Sequence, residues 1–355
     1  MLNCPERMGV PPSVTEDVML VHMRNSERKG LNRCAQQWDW SILQGLTPAA
    51  PGKAQWFGQG IHLALAHYYQ PGLKRNTDMI DVWREFADEE GEILRVHSTK
   101  GLDEEEFVEA KALGEAMLLG YMEEYGGDEN WDVIATEQHF QVRIPYEESN
   151  PFRAYLEAMG LDPDYFELDG TFDGVYRDLV SRRLKLMEHK TAGSIRIGHL
   201  NLDNQAGTYW AVAHTVLKHL GILSGRQNIS EITYNFLRKA MPDQRERDPE
   251  TGQRLNKDGS ISKRQPPKLY VRHPVRRRPQ ERTQQIARLK GEVGLSLAYR
   301  SGEVTIGKNP GDHCAWCPFK EMCELHEQNA AWEDFRDMMF TKRDPYEDHR
   351  KSASE

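Results

Sequence analysis

Alternating apolar and polar positions in the middle of the chain predict a β-hairpin. The stretches DGTFDGVYRD and RLKLMEHKT alternate with a period of two, and the segment LVSRR separates them. This alternation is typical of half-buried strands. Further strands are predicted in WDVIATEQHFQVRIPY, before the hairpin, and in the pair EITYNFLRKA and KLYVRHPVRR, after it.

Helical periodicity dominates the first third of the chain. It predicts helices in SERKGLNRCAQQWDWSIL, with Ser26 as N-cap, in QWFGQGIHLALAHYY, and over about 77–97 and 103–126. The stretch LDNQAGTYWAVAHTVLKHLGI predicts a buried helix after the hairpin, and another long helix is predicted over about 279–300.

These elements predict an α/β fold with a helical N-terminal half. The segment 241–268 is polar and nearly without apolar residues, so a mobile loop insertion is expected there. The expected divisions are a flexible arm (1–20), a helical region with the first clustered-cysteine partner (21–130), a core (131–240), the loop insertion (241–268), a basic strand and helix with a cysteine cluster (269–330) and an acidic tail (331–355).

Composition favours a soluble protein. Of the 355 residues 38% are hydrophobic, yet no apolar stretch approaches the roughly 18 to 20 residues that cross a bilayer. The first residues lack a basic segment followed by an apolar one, so no signal peptide is expected. We therefore expect a cytoplasmic location, in the host cell if the chain is phage-encoded, and no membrane partner.

The formal net charge of −9 conceals a basic segment at 263–290. Such a patch can meet a phosphate backbone even in an acidic protein, although a solvated loop and helix face is the alternative interpretation. A strand here would place Arg272 and Arg276 on one face, and Tyr270 could stack on a base. The candidate DNA-binding residues are Lys268, Arg272, Arg276, Arg277, Arg278 and Arg282.

The hairpin carries the candidate catalytic chemistry. Glu188 and Lys190 are two residues apart on one strand, so their side chains leave the same face of the sheet. If the strands pair, Asp173 approaches that face. Two carboxylates of this kind suit Mg²⁺ or Mn²⁺. Taken alone, a cross-strand salt bridge on a solvated sheet is the favoured alternative.

Three of the five cysteines form a C-x₂-C-x₅-C cluster. In a chain without a secretion signal, clustered cysteines indicate metal or redox chemistry rather than disulfides. With His326 the cluster has the spacing of a zinc site of three cysteines and one histidine, which would leave Cys34 as a core thiol. Cys4 lies far from the cluster in the sequence and belongs to no such ligand set. The clustered residues are Cys314, Cys317 and Cys323.

Several separate motifs occur in one order along residues 22–330. They are GQGIH with His62, ATEQHF with Glu137, LDGTFDGVY with Asp173, LMEHKTAG with Glu188 and Lys190, and QAGTY with Gln205 and Tyr209, with one cysteine before this core and three after it. This order resembles the RecB-like PD-(D/E)xK nucleases, and most closely the iron–sulfur exonucleases associated with CRISPR systems and their phage-encoded relatives. The chain departs from them at Ala35, where relatives often have Pro, and in the polar insertion.

The resemblance implies a restriction-endonuclease-like core, a mixed sheet flanked by helices, with a C-terminal iron–sulfur segment. It implies that Asp173, Glu188 and the carbonyl of His189 hold one or two divalent ions, with His62 as a further ligand. Lys190 would orient the attacking water or offset charge on the phosphate. Glu137 is a further candidate of this site.

The same resemblance implies that Gln205 and Tyr209 touch the phosphate or base near the cut; a cap on the sheet edge is the alternative. It also implies a [4Fe–4S] cluster on Cys34, Cys314, Cys317 and Cys323.

The sequence therefore predicts a metal-dependent DNA exonuclease that prefers single-stranded ends, with recombination or replication proteins as possible partners. Two alternatives stay open. One is a flap or junction endonuclease that uses the same site, and the other is a non-catalytic DNA-end-binding module with a zinc site.

Overall fold

A computed structural model describes residues 19–48, 52–97, 103–224 and 227–346. Its strands are β1 (Met19–Arg24), β2 (Leu46–Pro48), β3 (Trp131–Pro145), β4 (Leu161–Asp178), β5 (Leu184–Ala192), β6 (Ile229–Arg238), β7 (Tyr270–Arg276) and β8 (Phe340–Lys342).

Ten α-helices lie in the described ranges. They are α1 (Asn25–Arg33), α2 (Ala35–Trp38), α3 (Lys53–Tyr68), α4 (Asp78–His97), α5 (Glu104–Tyr125), α6 (Arg153–Ala158), α7 (Asn204–His219), α8 (Pro279–Arg300), α9 (Lys320–Glu327) and α10 (Trp332–Met339). None of the helices in these ranges has the length and apolar character that a bilayer span requires.

Six strands form one mixed sheet in the order β1-β4-β5-β6-β7, and β3 pairs with β4. The β4–β5 and β6–β7 pairs are antiparallel, whereas β1–β4 and β5–β6 are parallel. The hairpin and the later strand pair predicted from alternation are both present. The sheet, flanked by helices, confirms the mixed α/β fold.

Two hydrophobic cores cover the two faces of the sheet. On one face α7 and α8 pack on β4, where Phe166 and Phe172 meet Ala213 and Leu297. On the other, α3, α4 and α5 form a second core that reaches β5 through Met187. A small third core surrounds the β2–β8 pair. It contains Trp40, Leu46, Phe319 and Met322, and Phe340 packs against it.

Four predicted boundaries differ from the structure. The region before the first helix is not only an arm, since β1 pairs with β4 in the sheet, and α1 is preceded by Arg24 rather than capped by Ser26. The sheet is not confined to 131–240, because β1 and β7 lie outside that range. The segment 331–355 is not simply a tail, since α10 and β8 occupy 332–342. Most of the predicted arm and the end of the tail lie outside the described residues.

The polar segment 241–268 has local order without a core of its own. Isolated bridges join Arg247 to Arg254 and Leu255 to Ile261. The Arg245 side chain donates hydrogen bonds to Asp243 and to the hydroxyl of Ser262. Local turns therefore shape the insertion between β6 and β7.

An ion cluster fastens β1 to β4. The imidazole Nδ1 of His22 lies 3.1 Å from a carboxylate oxygen of Asp169 and 3.2 Å from one of Glu167. Hydrogen bonds to Asp169 and then Glu167 raise the pKa of His22 to about 9, although partial burial opposes this. The protonated imidazole thus balances two carboxylates at the sheet edge.

We predict that His22→Gln destabilises the protein at pH 6 and has a smaller effect at pH 10. The folded pKa of about 9 exceeds the ordinary 6.5, so the contribution is complete below pH 6.5 and is lost as the pH rises through 9. Urea unfolding at both pH values should show a loss on the order of 1 to 3 kcal/mol only at pH 6. An equal loss at both would contradict this role.

Candidate functional site

The candidate site lies where β4 and β5 separate. The same edge of β4 pairs with β1 as far as Asp169 and with β5 from Gly174 onward. Asp173 falls in the gap, and its carboxylate accepts a hydrogen bond from the backbone N–H of His189 at 2.6 Å. A side chain thus satisfies an N–H of β5 at the point where the strands part.

Glu188 and Lys190 extend into the same gap from β5. Glu188 is buried, and its carboxylate contacts the ammonium of Lys190. The amide oxygen of Gln205 lies 3.3 Å from that ammonium. Gln205 is in the first turn of α7, which Asp203 caps by accepting a hydrogen bond from the N–H of Ala206. The predicted grouping of Asp173, Glu188, Lys190 and Gln205 is present.

Helix α3 brings His62 to the gap. Its Nδ1 atom lies 3.7 Å from the Asp173 carboxylate. Close packing of α3 on α4 depends on Gly60, where a Cβ would lie 2.5 Å from both Phe86 and Trp83. Burial, followed by the charge of Lys190, lowers the pKa of His62 to about 4. The imidazole is therefore neutral near pH 7 and can act as a metal ligand.

Glu137 reaches the site from β3, at a position where the strand backbone is irregular. Its φ is 44°, and it has no ladder partner between Thr136, which pairs with Gly174, and Gln138, which pairs with Phe172. One ligand atom from each of His62, Glu137 and Asp173 lies within 4.8 Å of the others. Glu137 thus joins the predicted metal ligands, whereas Glu188 lies on the Lys190 side.

Lys190 offsets only part of the negative charge of the three acids at the site. Burial raises the pKa of Asp173 to about 6 and that of Glu188 to about 7, and Lys190 opposes both shifts. Desolvation, followed by the charges of Asp173 and Glu188, raises the pKa of Glu137 to about 8. A divalent cation would relieve this excess of negative charge, so the donor set fits Mg²⁺ or Mn²⁺.

The His189 ring lies edge-on to the His62 ring, with the ring centroids 5.7 Å apart. Its Nδ1 atom lies 2.8 Å from the amide nitrogen of Asn235, and its ring stacks on Tyr69. Burial lowers its pKa well below the usual range. The metal contact that the resemblance implies involves the backbone carbonyl of His189 and stays a prediction.

Tyr209 belongs to the core between α7 and the sheet. The side chain is 7% exposed, and its ring packs edge-on against Phe140 and Phe172. A Cβ at Gly170 would lie 2.8 Å from this ring. The ring of Tyr209 is therefore held in the core, and a contact of its hydroxyl with the phosphate or base stays a prediction.

Two residues of the predicted DNA-binding strand are committed to internal contacts. The Arg272 guanidinium forms an ion pair with Asp128 at 2.6 Å and lies over the rings of Tyr125 and Trp131. Tyr270 is buried, and its hydroxyl donates to the carbonyl of Met117. The predictions of a phosphate contact at Arg272 and of base stacking on Tyr270 are wrong for this reason.

Of the remaining basic residues, two have internal contacts and three are exposed. Arg277 is buried and donates to three backbone carbonyls beside α7, so it too is corrected. Arg282 is half-buried over the ring of Trp210. The exposed members of the predicted set are Lys268, Arg276 and Arg278.

A cationic side of the cleft was not predicted. A cavity of about 250 Å³ adjoins Lys190 and is lined in part by Arg196, His199 and Asp203. Burial, followed by the charges of Arg33 and Lys190, lowers the pKa of Lys29 in α1. Arg196 and His199 belong to the irregular segment after β5, where no periodic pattern marks their direction.

The fold brings Cys34 together with the cluster of Cys314, Cys317 and Cys323, although Cys34 and Cys314 are 280 positions apart in the sequence. Cys34, Cys314, Cys317 and Cys323 all line one cavity of about 550 Å³. Burial raises the pKa of Cys317, and the other three thiols add to the shift. Cys4 lies outside the described residues.

His326 is held by aromatic neighbours. Its ring lies edge-on to Trp332 at 5.0 Å and to Trp40 at 6.0 Å. His326 is not one of the described residues that line the cysteine cavity.

A family model described as the PD-(D/E)XK nuclease superfamily matches residues 26–324 of the chain. No curated protein matches the sequence. The matched range extends from α1 into α9 and therefore includes the cleft and all four clustered cysteines.

We predict that Glu137→Gly is more stable than Glu137→Ala by about 1 kcal/mol, because only glycine adopts a positive φ without strain. Both variants lose the carboxylate, so thermal melts of the pair isolate the backbone effect. Both should bind Mn²⁺ more weakly than the wild-type protein in calorimetry. Equal stability of the two variants would show that residue 137 is not strained.

Proposed function

The chain belongs to the PD-(D/E)XK nuclease superfamily, and we propose that it is a divalent-metal-dependent DNA exonuclease that prefers single-stranded ends. Members of this superfamily are mostly metal-dependent nucleases. The observation that carries the proposal is the convergence of Asp173, Glu188 and Lys190 with His62 in one cleft. The order of the motifs supports placement in the RecB-like branch, near the iron–sulfur exonucleases and their phage-encoded relatives.

Mg²⁺ or Mn²⁺ would be held by Asp173 and Glu188 with the backbone carbonyl of His189, and His62 and Glu137 complete the donor set. A divalent ion bound there supplies Lewis-acid polarisation of the scissile phosphate and favours deprotonation of water. The shared excess of negative charge at these carboxylates supports this assignment.

Lys190 has the charge and position to assist phosphate chemistry. The neighbouring carboxylates of Glu188 and Asp173 raise its pKa despite burial, so it stays protonated. Its ammonium donates hydrogen bonds toward the attacking water or the charge that develops on the phosphate. Gln205 holds the ammonium in place. Removal of either partner would therefore disturb the same group.

The DNA backbone would approach from the cationic side of the cleft. Lys190, Arg196 and His199 line one cavity there, and the charge of Lys190 also acts on Lys29 of α1. Cations placed along a groove attract a single strand without regard to its sequence. The exposed residues Lys268, Arg276 and Arg278 remain candidates for a more distant contact.

We further propose that the four clustered cysteines hold a structural [4Fe–4S] cluster. Four thiolates suit such a cluster. Zinc, with ligands at about 2.3 Å, would draw its sulfurs within about 4 Å of one another. Among the described residues, no three of the cysteine sulfurs form a group whose members all lie within 4.8 Å. The aromatic packing of His326 also disfavours the zinc alternative.

We predict that Asp173→Asn, Glu188→Gln and Lys190→Met each reduce cleavage at least about 100-fold while the protein stays folded. The substrates are linear DNA with a 5′ or 3′ label, single- or double-stranded, and a closed single-stranded circle, each with Mg²⁺ or Mn²⁺. Lys74→Met is the control, because Lys74 is exposed and lines neither cleft cavity.

Cleavage of the linear single strand and not of the circle is the expected result. Cutting of the circle would favour the endonuclease alternative. Wild-type activity in folded Asp173→Asn would contradict the catalytic assignment. A wild-type protein that binds DNA ends but does not cleave them would favour the non-catalytic module.

We predict that anaerobically purified protein is brown, absorbs near about 400 nm and contains about four iron atoms per chain. Cys34→Ala should lose the iron, whereas Cys4→Ala, outside both proposed ligand sets, should keep it. Metal analysis by mass spectrometry checks both variants. A colourless protein with one zinc atom, lost in His326→Ala and kept in Cys34→Ala, would establish the zinc alternative.

A further inference from the structure

The cleft has a second cavity, on the side away from the cations. It measures about 640 Å³ and lies between α3 and α4. His62 and Glu137 belong both to its lining and to the candidate metal site. Its remaining walls include Gln55, Gln59, Leu63 and Phe86. Any group bound in this cavity would therefore adjoin the scissile phosphate.

The side chains that line this cavity disfavour a phosphate. Among the described residues that line it there is no Lys or Arg, whereas Glu90 and Glu137 are both present. The cavity beside Lys190 differs, since Lys190 and Arg196 line it together with Asp203. A nucleotide chain that crosses the site would place its anionic backbone on the Lys190 side and an uncharged part on the other.

The walls have the chemistry that a nucleobase requires. The Phe86 ring is half-buried and packs on α3 at Gly60, which fixes its position. Leu63 is 45% exposed and adds an apolar surface. Gln55 and Gln59 are exposed and carry amides that donate to and accept from base edges. A ring that stacks on any base gives binding that tolerates all sequences.

From these features we infer that the α3–α4 cavity binds the unpaired nucleobase next to the scissile phosphate. This inference rests on the proposed nuclease function and deepens it. A base in a duplex is stacked and paired, so it enters the cavity only after it leaves its partner. The cavity thus selects single-stranded ends, and Phe86 is its main specificity-determining residue.

The test combines one protein change with one substrate change. Phe86→Leu keeps an apolar side chain against α3 but removes the stacking ring. Single-stranded oligonucleotides carry either a normal base or an abasic tetrahydrofuran residue at one position, and single-turnover rates are measured step by step. In the wild-type protein the step at which the missing base would fill the cavity should slow about 10-fold. In Phe86→Leu the normal and abasic substrates should react at the same, reduced rate.

A binding measurement separates this inference from the proposed catalysis. Oligonucleotides with 2-aminopurine at successive positions are titrated with protein in EDTA. One position near the end should change fluorescence with the wild-type protein and not with Phe86→Leu or Gln59→Ala. Leu73→Ala, an exposed apolar residue outside the cavity, is the matched control.

Equal wild-type rates at every abasic step, or an equal loss on both substrates in Phe86→Leu, would overturn the base-binding role. If the wild-type protein cleaves no DNA, the proposed function fails, and the fluorescence titration alone then tests whether the cavity binds a base. In that case, the absence of a position-specific fluorescence change would overturn the inference.

Discussion

The hydrogen bond from the His189 N–H to the Asp173 carboxylate is the constraint on which the site depends. It lies where β5 leaves the edge of β4, so a side chain takes over from the strand ladder. The separation leaves room for Glu188 and Lys190 to turn toward Asp173 rather than toward solvent. Because the carboxylate is fixed by a backbone group, its position is set by the sheet itself, and α3 and the turn at Glu137 need only approach it.

The back of the site is equally constrained. The imidazole of His189 contacts Asn235, whose amide donates to the hydroxyl of Tyr121. That hydroxyl also accepts from Arg272, which pairs with Asp128. The basic strand β7 is therefore linked to the metal side through buried polar groups. Such a network restricts the arrangement of its side chains, and loss of one member leaves buried partners without hydrogen bonds.

Local patterns predicted much of this molecule. Period-two alternation located the β4–β5 hairpin, and with it Asp173, Glu188 and Lys190, because the side-chain direction of a strand follows from position alone. The irregular residues were harder. Glu137 points into the cleft through a positive φ, which alternation does not reveal. Nothing local to β1 shows that it pairs with β4, more than 130 residues later.

Charge in the sequence was a weaker guide than periodicity. A run of arginines has the same letters whether the groups meet solvent or buried acceptors. Arg272 and Arg277 have internal partners that lie far away in the chain, Asp128 for one and the carbonyls beside α7 for the other. Arg196 and His199, which line the cavity beside Lys190, come from an irregular segment, and the fold alone brings them there.

The third core has a consequence for how the protein is made. Strand β2 pairs with β8, Cys34 shares a cavity with Cys323, and the Tyr346 hydroxyl donates to Glu27. During synthesis residues 27–48 emerge before residues 314–346, which are their partners in these contacts. A nascent chain that has not yet reached residue 314 therefore leaves Glu27, Cys34 and Leu46 without these partners.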